Sequence, residues 1–430
     1  MASRPTRTRH RVLWLTVLVC VITYMDRVVI STAAPAIQEE FGFSNEVLGV
    51  IFAAFQLSYA LFQIPGGWLG DRFGSRKVLS GLAIWWSAFT ALTALTWSAT
   101  SMIVCRFLFG MGEAGAFPNA TRSLSRWMLP LERGWAQGVT QAGARFGAAI
   151  TPPLAAAMIL AWGWRSPFVI FSGLGVLWAV CWFWYYRDTP REHRSVSPGE
   201  LALIEASLGQ DHSSGKRSVP WRPILRSSQM WTLAAMYFCY AYGINVFLQW
   251  FPTYMAQGRG QSLGELGIAT GLVLGAGVIG DMVGGVWSDS WYKRTGNLRM
   301  ARRGVAVVGF LVAGAIMPIA VLSDDVVTSV AWFCLAVFAL ELTVGVSWAV
   351  TLDIGHEFAG SVSALMNTCG NIGGTLAGVL TGILVGDQVA RWNVPFLVVS
   401  GLLFLAAILF LWIDASRRLY GEAPDPQPAG

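Results

Sequence analysis

Charged side chains are scarce in this 430-residue chain, in which Asp, Glu, Lys and Arg together make up only 13%. Soluble domains carry about 25% charged residues, so this composition leaves roughly half the usual solvated surface. Hydrophobic residues reach 54%, and glycine (47) and tryptophan (21) are abundant, as is typical of closely packed helices with aromatic rings at a membrane interface. The composition argues against a soluble enzyme, a nucleic-acid-binding protein and a disordered scaffold, and it predicts an integral membrane protein.

The sequence also lacks the residue groupings of a disulfide framework, a metal centre or a catalytic site. Its six cysteines, at positions 20, 105, 181, 239, 334 and 369, lie inside apolar stretches without a CxxC pair, which indicates small core residues. The four histidines lie outside the predicted mid-membrane positions, and no phosphate-binding GxxxxGK[ST] loop is present. We therefore predict neither an enzyme nor an ATP-driven pump, and we expect no cofactor and no bound metal.

Long apolar runs dominate the chain instead, and each is long enough to cross a bilayer, which takes about 20 residues. Twelve such runs lie near 12–35, 47–69, 78–97, 101–121, 136–160, 166–186, 230–255, 264–287, 304–322, 327–351, 361–386 and 393–413. The pattern predicts an all-α, polytopic membrane protein with twelve transmembrane helices in two pseudo-symmetric six-helix bundles. The predicted boundaries are 1–186 for the first bundle, 187–229 for a cytoplasmic linker, and 230–430 for the second bundle with a short cytoplasmic tail.

The first apolar run follows several arginines and so imitates a signal peptide. Asp26 and Arg27 interrupt that pattern and eleven more apolar runs follow, so an uncleaved first helix is the better interpretation.

The distribution of basic residues predicts the orientation in the membrane. With a cytoplasmic N-terminus, the cytoplasmic segments hold 24 of the 30 Lys and Arg, whereas the opposite side holds only Arg165, Arg259 and Arg391. Positive charge accumulates on the cytoplasmic side of membrane proteins, so both termini and the linker are expected inside. The net charge of +6 is therefore an orientation signal and not a polymer-binding patch.

An internal repeat relates the two halves of the chain. Shifting the sequence by 218 residues superposes the pair Gly66–Gly67 on Gly284–Gly285, and it superposes Asp71 on Asp289. Two six-helix halves related by an axis along the membrane normal are typical of transporters that rock around a site between the halves.

Ionisable residues inside the predicted spans are the candidates for function, because each costs roughly 2.5–3.5 kcal/mol at the bilayer centre on insertion scales. Asp26 and Arg27 lie in span 1. Arg106 and Glu113, seven residues apart in span 4, share one helical face. The remaining intramembrane charges are Arg145, Asp281 and Glu341. Arg145 is either a second anion contact or a pairing residue on the cytoplasmic side. Asp281 and Glu341 could be coupling sites, but contacts between helices are the favoured interpretation.

Arginine next to a buried acid could work as an exchange switch. Arginine stays charged and grips a carboxylate through two parallel hydrogen bonds, whereas a carboxyl group in a dry cavity can take up a proton. The arginine would then pair with its own acid when the protein is empty and with a substrate anion when that acid is protonated. The alternative is a set of static ion pairs between helices, although buried pairs are weak stabilisers.

Uncharged polar side chains occupy neighbouring positions of the predicted spans and suggest a polar ligand. Each could equally form an interhelical hydrogen bond. The candidate ligand contacts, besides Arg27 and Arg145, are Tyr24, Tyr59, Gln141, Trp348, Asn367 and Asn371.

The loop after span 2 resembles the signature loop of the major facilitator superfamily. Its matching positions are Gly67, Asp71, Arg72, Gly74, Arg76 and Lys77. This resemblance implies a conformational latch, in which the loop charges bridge cytoplasmic helix ends and favour the outward-open state. The copy at Asp289 lacks the following arginine, which leaves its latch role open.

Two further motifs resemble the anion:cation symporter family within that superfamily. They are Tyr24-Met-Asp26-Arg27 in span 1 and Arg106-x-x-x-Gly-x-x-Glu113-x-x-x-x-Pro118 in span 4. The resemblance implies Arg27 as the main carboxylate contact, Asp26 and Glu113 as protonation sites and Arg106 as their counter-charge, with Tyr59 and Asn367 in the cavity. Arg145 departs from the uncharged residue of some sugar-acid carriers, which leaves room for an aromatic or second-carboxylate substrate.

From these features we predict a secondary active transporter that moves an organic carboxylate, such as a sugar acid or a related monocarboxylate, together with protons by alternating access. The alternatives are a phosphate carrier, a Na⁺-coupled anion carrier or a membrane sensor that moves nothing. The expected partners are a small organic anion, protons and the lipid bilayer, with no nucleic acid, and the chain is expected to be a monomer. The short outer loops favour a bacterial inner membrane.

Overall fold

The computed structural model describes residues 6–209, 219–386 and 388–419, and the regular structure of these residues is helical. The helices of the first half are α1 (Thr8–Phe41), α2 (Asn45–Phe73), α3 (Ser75–Thr93), α4 (Ala99–Glu113), α5 (Ala116–Trp127), α6 (Pro130–Trp162) and α7 (Ser166–Tyr185). Two short helices, α8 (Pro198–Gly209) and α9 (Trp221–Arg226), follow in the linker. The helices of the second half are α10 (Ser228–Thr253), α11 (Leu263–Thr295), α12 (Leu298–Leu322), α13 (Val326–Gly355), α14 (Ala359–Val385) and α15 (Asn393–Trp412).

Helix is the expected state for these segments, because lipid offers no hydrogen-bond partners and the backbone must satisfy its own N–H and C=O groups. Ten of the helices in the described part of the chain are long and apolar enough to cross a membrane. Predicted spans 3 and 4 correspond to α3, which is 19 residues long, and to the pair α4 and α5. The predicted all-α, polytopic fold is confirmed.

Several helices begin at a side-chain cap that the sequence encodes. Ser44 accepts a hydrogen bond from the Val47 amide at the start of α2, and Asp325 accepts one from the Thr328 amide at the start of α13. Such caps satisfy backbone donors that have no partner within the helix. They fix where α2 and α13 begin.

The fourth predicted span is broken, and the break positions a candidate functional residue. The span divides between Glu113, the last residue of α4, and Ala116, the first residue of α5. The buried Asn119 side chain donates to the carbonyl oxygens of Gly115 at 2.8 Å and Gly66 at 3.0 Å. These bonds satisfy the Gly115 carbonyl at the break and tie the start of α5 to α2.

Glycines set the closest approaches between helices in both halves. A Cβ atom on Gly110 of α4 would overlap the Ser58 hydroxyl and lie 2.6 Å from the Phe55 carbonyl oxygen of α2. In the second half, a Cβ atom on Gly280 of α11 would overlap the backbone of Phe338 in α13. Small residues at such crossings are typical of membrane helix packing, which relies on close van der Waals contact.

The described residues divide into two compact units. Unit 1 lies within 1–217, 248–272 and 378–389, and unit 2 lies within 218–247, 273–377 and 390–430. This division cuts through α10, α11 and α14, so the bundle boundaries at 186 and 230 stay a prediction.

Candidate substrate and proton site

An ion pair between Arg27 of α1 and Glu113 of α4 lies in the interior of unit 1. The Arg27 Nε atom donates to Glu113 Oε1 at 2.9 Å, and Arg27 Nη2 donates a short hydrogen bond to the same oxygen. The Glu113 side chain is completely buried, whereas the Arg27 side chain is 16% exposed. Within the described residues, Glu113 Oε2 accepts no hydrogen bond. One oxygen of the buried carboxylate therefore holds the guanidinium, and the other accepts no hydrogen bond from the described residues.

Three aromatic rings surround the Arg27 guanidinium. Its central carbon lies 4.6 Å from the ring centroid of Tyr24, 4.8 Å from that of Tyr59 and 5.1 Å from that of Phe55. A cation within about 6 Å of an aromatic face is attracted by the ring quadrupole. Tyr24 and Tyr59, both predicted as ligand contacts, thus lie beside Arg27. Together with Phe55 they form an aromatic cage around the cation, built from α1 and α2. Phe55 was not predicted, because a phenylalanine in an apolar span carries no distinguishing signal.

Asp26 and Arg106 are both buried beside this pair, but they do not bond directly. Asp26 is fully buried and Arg106 is 2% exposed. Among the described residues, Nε and Nη1 of Arg106 have no hydrogen-bond partner, so neither atom donates to Asp26. The Arg106 guanidinium instead lies over the Phe109 ring at 4.3 Å and near the Phe55 ring at 5.1 Å. The charges of Asp26, Arg106 and Glu113 nevertheless act on one another.

Gln141 and Arg145 lie one turn apart on α6, and both are half-buried. Helix α6 packs along α1, where a Cβ atom on Gly143 would lie 2.7 Å from Val17 and one on Gly147 would lie 2.5 Å from the Val21 carbonyl oxygen. The two residues therefore belong to the helix that runs directly beside the one carrying Arg27.

The predicted ligand contacts of the second half lie in unit 2. The Trp348 indole of α13 donates to the Tyr237 hydroxyl of α10 at 3.0 Å, and the two rings meet edge to face. The Tyr237 ring also touches α14, where a Cβ atom on Gly370 would lie 2.8 Å from it. Asn367 and Asn371 flank that glycine, half-buried and buried respectively. Trp348 thus contacts Tyr237, and the two asparagines lie on the helix that the Tyr237 ring touches. Tyr237 was not predicted.

A buried acid of unit 2 pairs with a neutral partner. Glu341 of α13 is 1% exposed, and its Oε1 atom accepts a hydrogen bond from the Tyr240 hydroxyl of α10 at 2.9 Å. This contact links two helices, as expected of an interhelical hydrogen bond.

The signature loop predicted after span 2 lies in the structure at the end of α2 and the start of α3, with only Gly74 between the two helices. Specific charges tie it to neighbouring segments. Asp71 accepts a hydrogen bond from Arg122 of α5 at 2.9 Å. Asp188, which follows α7, accepts one from the Arg76 amide at 3.2 Å and lies 3.8 Å from Arg122. Gly74 has a φ of 85°, and a Cβ atom there would overlap the Asp188 carboxylate, which explains the need for glycine.

Three side-chain positions of this segment, Gly67, Arg72 and Arg76, have further contacts. A Cβ atom on Gly67 would lie 3.2 Å from Pro118 of α5, and Arg72 lies over the rings of Trp68 and Phe73 at 5.3 and 5.4 Å. The Arg76 side chain donates to the Phe183 carbonyl oxygen at 2.8 Å.

The copy of this loop in unit 2 uses different partners. Asp289 accepts a hydrogen bond from Arg302 of α12 at 2.7 Å, and Arg302 also donates to Asp353 at 3.0 Å. The arginines of the two clusters, Arg122 and Arg302, come from non-equivalent helices. No motif in the sequence names these partners, so only the structure reveals them.

The sequence profile of the Major Facilitator Superfamily matches residues 16–378. A probable sulfoacetate transporter of Cupriavidus necator is 41% identical over 421 residues, which cover 97% of this chain and 96% of the relative. A hexuronate transporter of Bacillus subtilis is 32% identical, with 90% of each chain covered. A probable galactarate/D-glucarate transporter of Escherichia coli is 31% identical, with 86% of each covered.

Two crystal structures share the fold. Both are of a bacterial homologue of the human lysosomal transporter Spinster, one in an inward-facing, unoccupied conformation and one in an inward-facing, occupied conformation. The first has a TM-score of 0.76 at 19% identity and covers 96% of this chain and 97% of its own. The second has a TM-score of 0.78 at 20% identity and covers 94% and 97%.

Proposed function

The chain belongs to the major facilitator superfamily and is a multi-pass membrane transporter rather than an enzyme, and we propose that it moves a small organic anion together with protons. The observation that carries this proposal is the buried ion pair between Arg27 and Glu113. It combines the permanently charged Arg27 guanidinium, which can bind an anion, with the Glu113 carboxylate, which can lose its charge by taking up a proton. Asp26, buried on the same helix, is the second protonation site in this proposal.

The ion pair supports a simple exchange of partners. A proton that binds Glu113 neutralises the carboxylate that holds Arg27, so the guanidinium becomes available to an incoming anion. Tyr24 and Tyr59 keep the cation in place through their rings during the exchange. When the proton and the anion leave on the other side, the ion pair re-forms and closes the cycle.

The first substrate we propose to test is sulfoacetate, with the relative at 41% identity in support. Sulfoacetate carries a planar carboxylate and a tetrahedral sulfonate. Both groups present anionic oxygen atoms that can accept hydrogen bonds from a guanidinium group. Arg27 would bind one of them and Arg145, on the adjacent helix α6, the other. This assignment also accounts for the charged residue at position 145.

Sugar acids are the second candidate, in keeping with the relatives that carry hexuronate and galactarate names. Their hydroxyl groups would need hydrogen-bond partners, and the Gln141 amide of unit 1 offers one. We further propose a bacterial inner membrane, with both termini in the cytoplasm, in accord with the distribution of basic residues.

Uptake into proteoliposomes tests the proposal. Purified protein is reconstituted, and radiolabelled sulfoacetate uptake is followed under a pH gradient (acidic outside), under a Na⁺ gradient at equal pH, and without any gradient. We expect accumulation only under the pH gradient, with unlabelled hexuronate, galactarate and phosphate as competitors that rank the substrates. Accumulation driven by Na⁺ alone would overturn proton coupling, and an absence of flux for every anion tested would indicate a sensor.

A further inference from the structure

The Phe55 ring of α2 lies near two arginines that come from different helices. Its centroid is 5.1 Å from the guanidinium carbon of Arg27 on α1 and 5.1 Å from that of Arg106 on α4. The two cations therefore lie within twice that distance of each other, in a protein interior where like charges repel more strongly than in water. The exchange of partners described above uses Arg27 but leaves Arg106 and this shared ring without a function.

Arg106 is a buried cation that relies on aromatic rings. The residue is 2% exposed, and its Nε and Nη1 atoms have no hydrogen-bond partner among the described residues. Its guanidinium carbon lies 4.3 Å from the Phe109 centroid, in addition to its contact with Phe55. An aromatic face attracts a cation through the ring quadrupole, and this attraction is larger when the cation is desolvated. The two rings therefore provide an attraction that these two nitrogen atoms do not obtain from hydrogen bonds.

The position of the Phe55 ring is fixed by its surroundings. Phe55 is 4% exposed, and its ring centroid lies 5.3 Å from that of Phe109 and 5.9 Å from that of Tyr59. The Ser58 hydroxyl donates to the Phe55 carbonyl oxygen at 2.9 Å. A Cβ atom on Gly110 of α4 would lie 3.0 Å from the Phe55 ring. A ring enclosed in this way keeps its place when the charges beside it change.

Helix α4 carries the charge that changes. Arg106, Phe109 and Glu113 recur at intervals of three and four residues on α4, and residues with this spacing share one side of a helix. In the structure, Glu113 holds Arg27. A proton on Glu113 would remove the negative charge from the Arg27 pair and from the side of α4 that carries Arg106. Both cations would then depend more strongly on the rings.

We infer that Phe55 is a positioning residue for anion binding, whose π face stabilises both Arg27 and Arg106 at the step in which Glu113 is neutral. The ring keeps the Arg27 guanidinium in place to receive the anion, and it offsets the repulsion between the two cations. This inference rests on the proposed function in taking Glu113 as the group that loses its charge. It adds to the transport machinery a residue that carries no titratable or hydrogen-bonding side chain.

A double-mutant cycle on the purified, substrate-free protein in detergent tests this inference. Glu113→Gln represents the neutral state of Glu113. Phenylalanine analogues with one, two or three ring fluorines are incorporated at position 55, because fluorine withdraws electron density from the ring face with little change in size and so weakens the attraction for a cation. Cyclohexylalanine at the same position keeps the bulk of the ring but has no π face.

We expect the thermal unfolding midpoint to fall with each added fluorine, and to fall roughly twice as far in Glu113→Gln as in the otherwise unchanged protein. With Glu113 ionised, its carboxylate still neutralises Arg27, so a weaker ring costs less. Cyclohexylalanine should give the largest difference between the two backgrounds. Phe55→Leu makes the same comparison with a natural amino acid and should show the same excess loss.

The matched control is Phe52, which lies almost one turn earlier on α2. Phe52 is 3% exposed, and its ring meets Trp250 edge to face at 5.3 Å, which is a contact between neutral rings. The same fluorine series at position 52 should lower the unfolding midpoint equally in the two backgrounds.

Equal losses in the two backgrounds at position 55 would overturn the inference, because Phe55 would then only fill space. A smaller loss in Glu113→Gln, or the same excess loss at position 52, would overturn it as well. Because these measurements need neither substrate nor gradient, their outcome is distinct from failure of the proposed function. The latter would appear as an absence of pH-driven uptake by the wild type.

Discussion

At the scale of single residues, one guanidinium combines two kinds of contact that a different cation could not reproduce. Arg27 donates from Nε and Nη2 to Glu113 and faces the rings of Tyr24, Tyr59 and Phe55. A planar fork of donors suits both a carboxylate and stacking on aromatic rings, whereas the lysine ammonium is a compact point charge. The shape of the group therefore matters as well as its charge.

This argument predicts the effect of Arg27→Lys. The substitution keeps the charge but loses the forked donors, and we expect the affinity for the transported anion to fall at least tenfold, which corresponds to about 1.4 kcal/mol. Isothermal titration calorimetry on purified protein measures it. Arg165→Lys is the control, because Arg165 pairs with Glu40 at 2.6 Å elsewhere in unit 1. Equal affinities of Arg27→Lys and the control would place the anion site at another residue.

The sequence predicts much of this site at the residue scale, but not its pairing. Arg27, Asp26, Arg106 and Glu113 are visible as charges in apolar spans, where their cost singles them out. The sequence does not show which acid Arg27 meets. It does not show the break after Glu113 either, because Ala114 and Gly115 are as apolar as their neighbours. The roles of these residues in transport stay predictions.

At the scale of helices, glycine positions determine how closely elements can pack. Gly110 lets α4 lie directly on α2, next to Phe55, whose ring contacts both Arg27 and Arg106. The contact between α2 and α4 therefore helps to hold the Phe55 ring in place beside Arg27. The sequence predicts the small-residue runs, but which glycine touches which helix depends on tertiary packing.

Substituting Gly110 by alanine tests this packing. The added methyl group would overlap Ser58, and overpacking of this kind typically costs about 1–3 kcal/mol. We expect the thermal unfolding midpoint in detergent to fall by several degrees. Gly81→Ala on α3 is the control, because no atom lies within 4 Å of its Cβ position and alanine favours helix. A Gly110→Ala protein as stable as the Gly81→Ala protein would contradict the close packing.

At the scale of the whole molecule, the sequence predicts the fold. It does not predict which arginines pair with the loop aspartates Asp71 and Asp289. Twelve apolar runs and one polar linker define an all-helical membrane protein, because lipid permits few other structures. The repeat identifies Asp71 and Asp289 as equivalent positions, yet they pair with Arg122 and Arg302 from non-equivalent helices. Partners of loop charges depend on contacts distant in sequence, and a repeat in one helix pair does not specify them.

The Glu113→Gln variant gives the most direct test of proton-coupled anion exchange. Glutamine keeps the size of the side chain but can neither take up nor release a proton. In proteoliposomes loaded with substrate, we expect the variant to exchange labelled for unlabelled anion as the wild type does, while pH-gradient-driven accumulation is lost. Undiminished accumulation by Glu113→Gln under the same gradient would contradict the central claim.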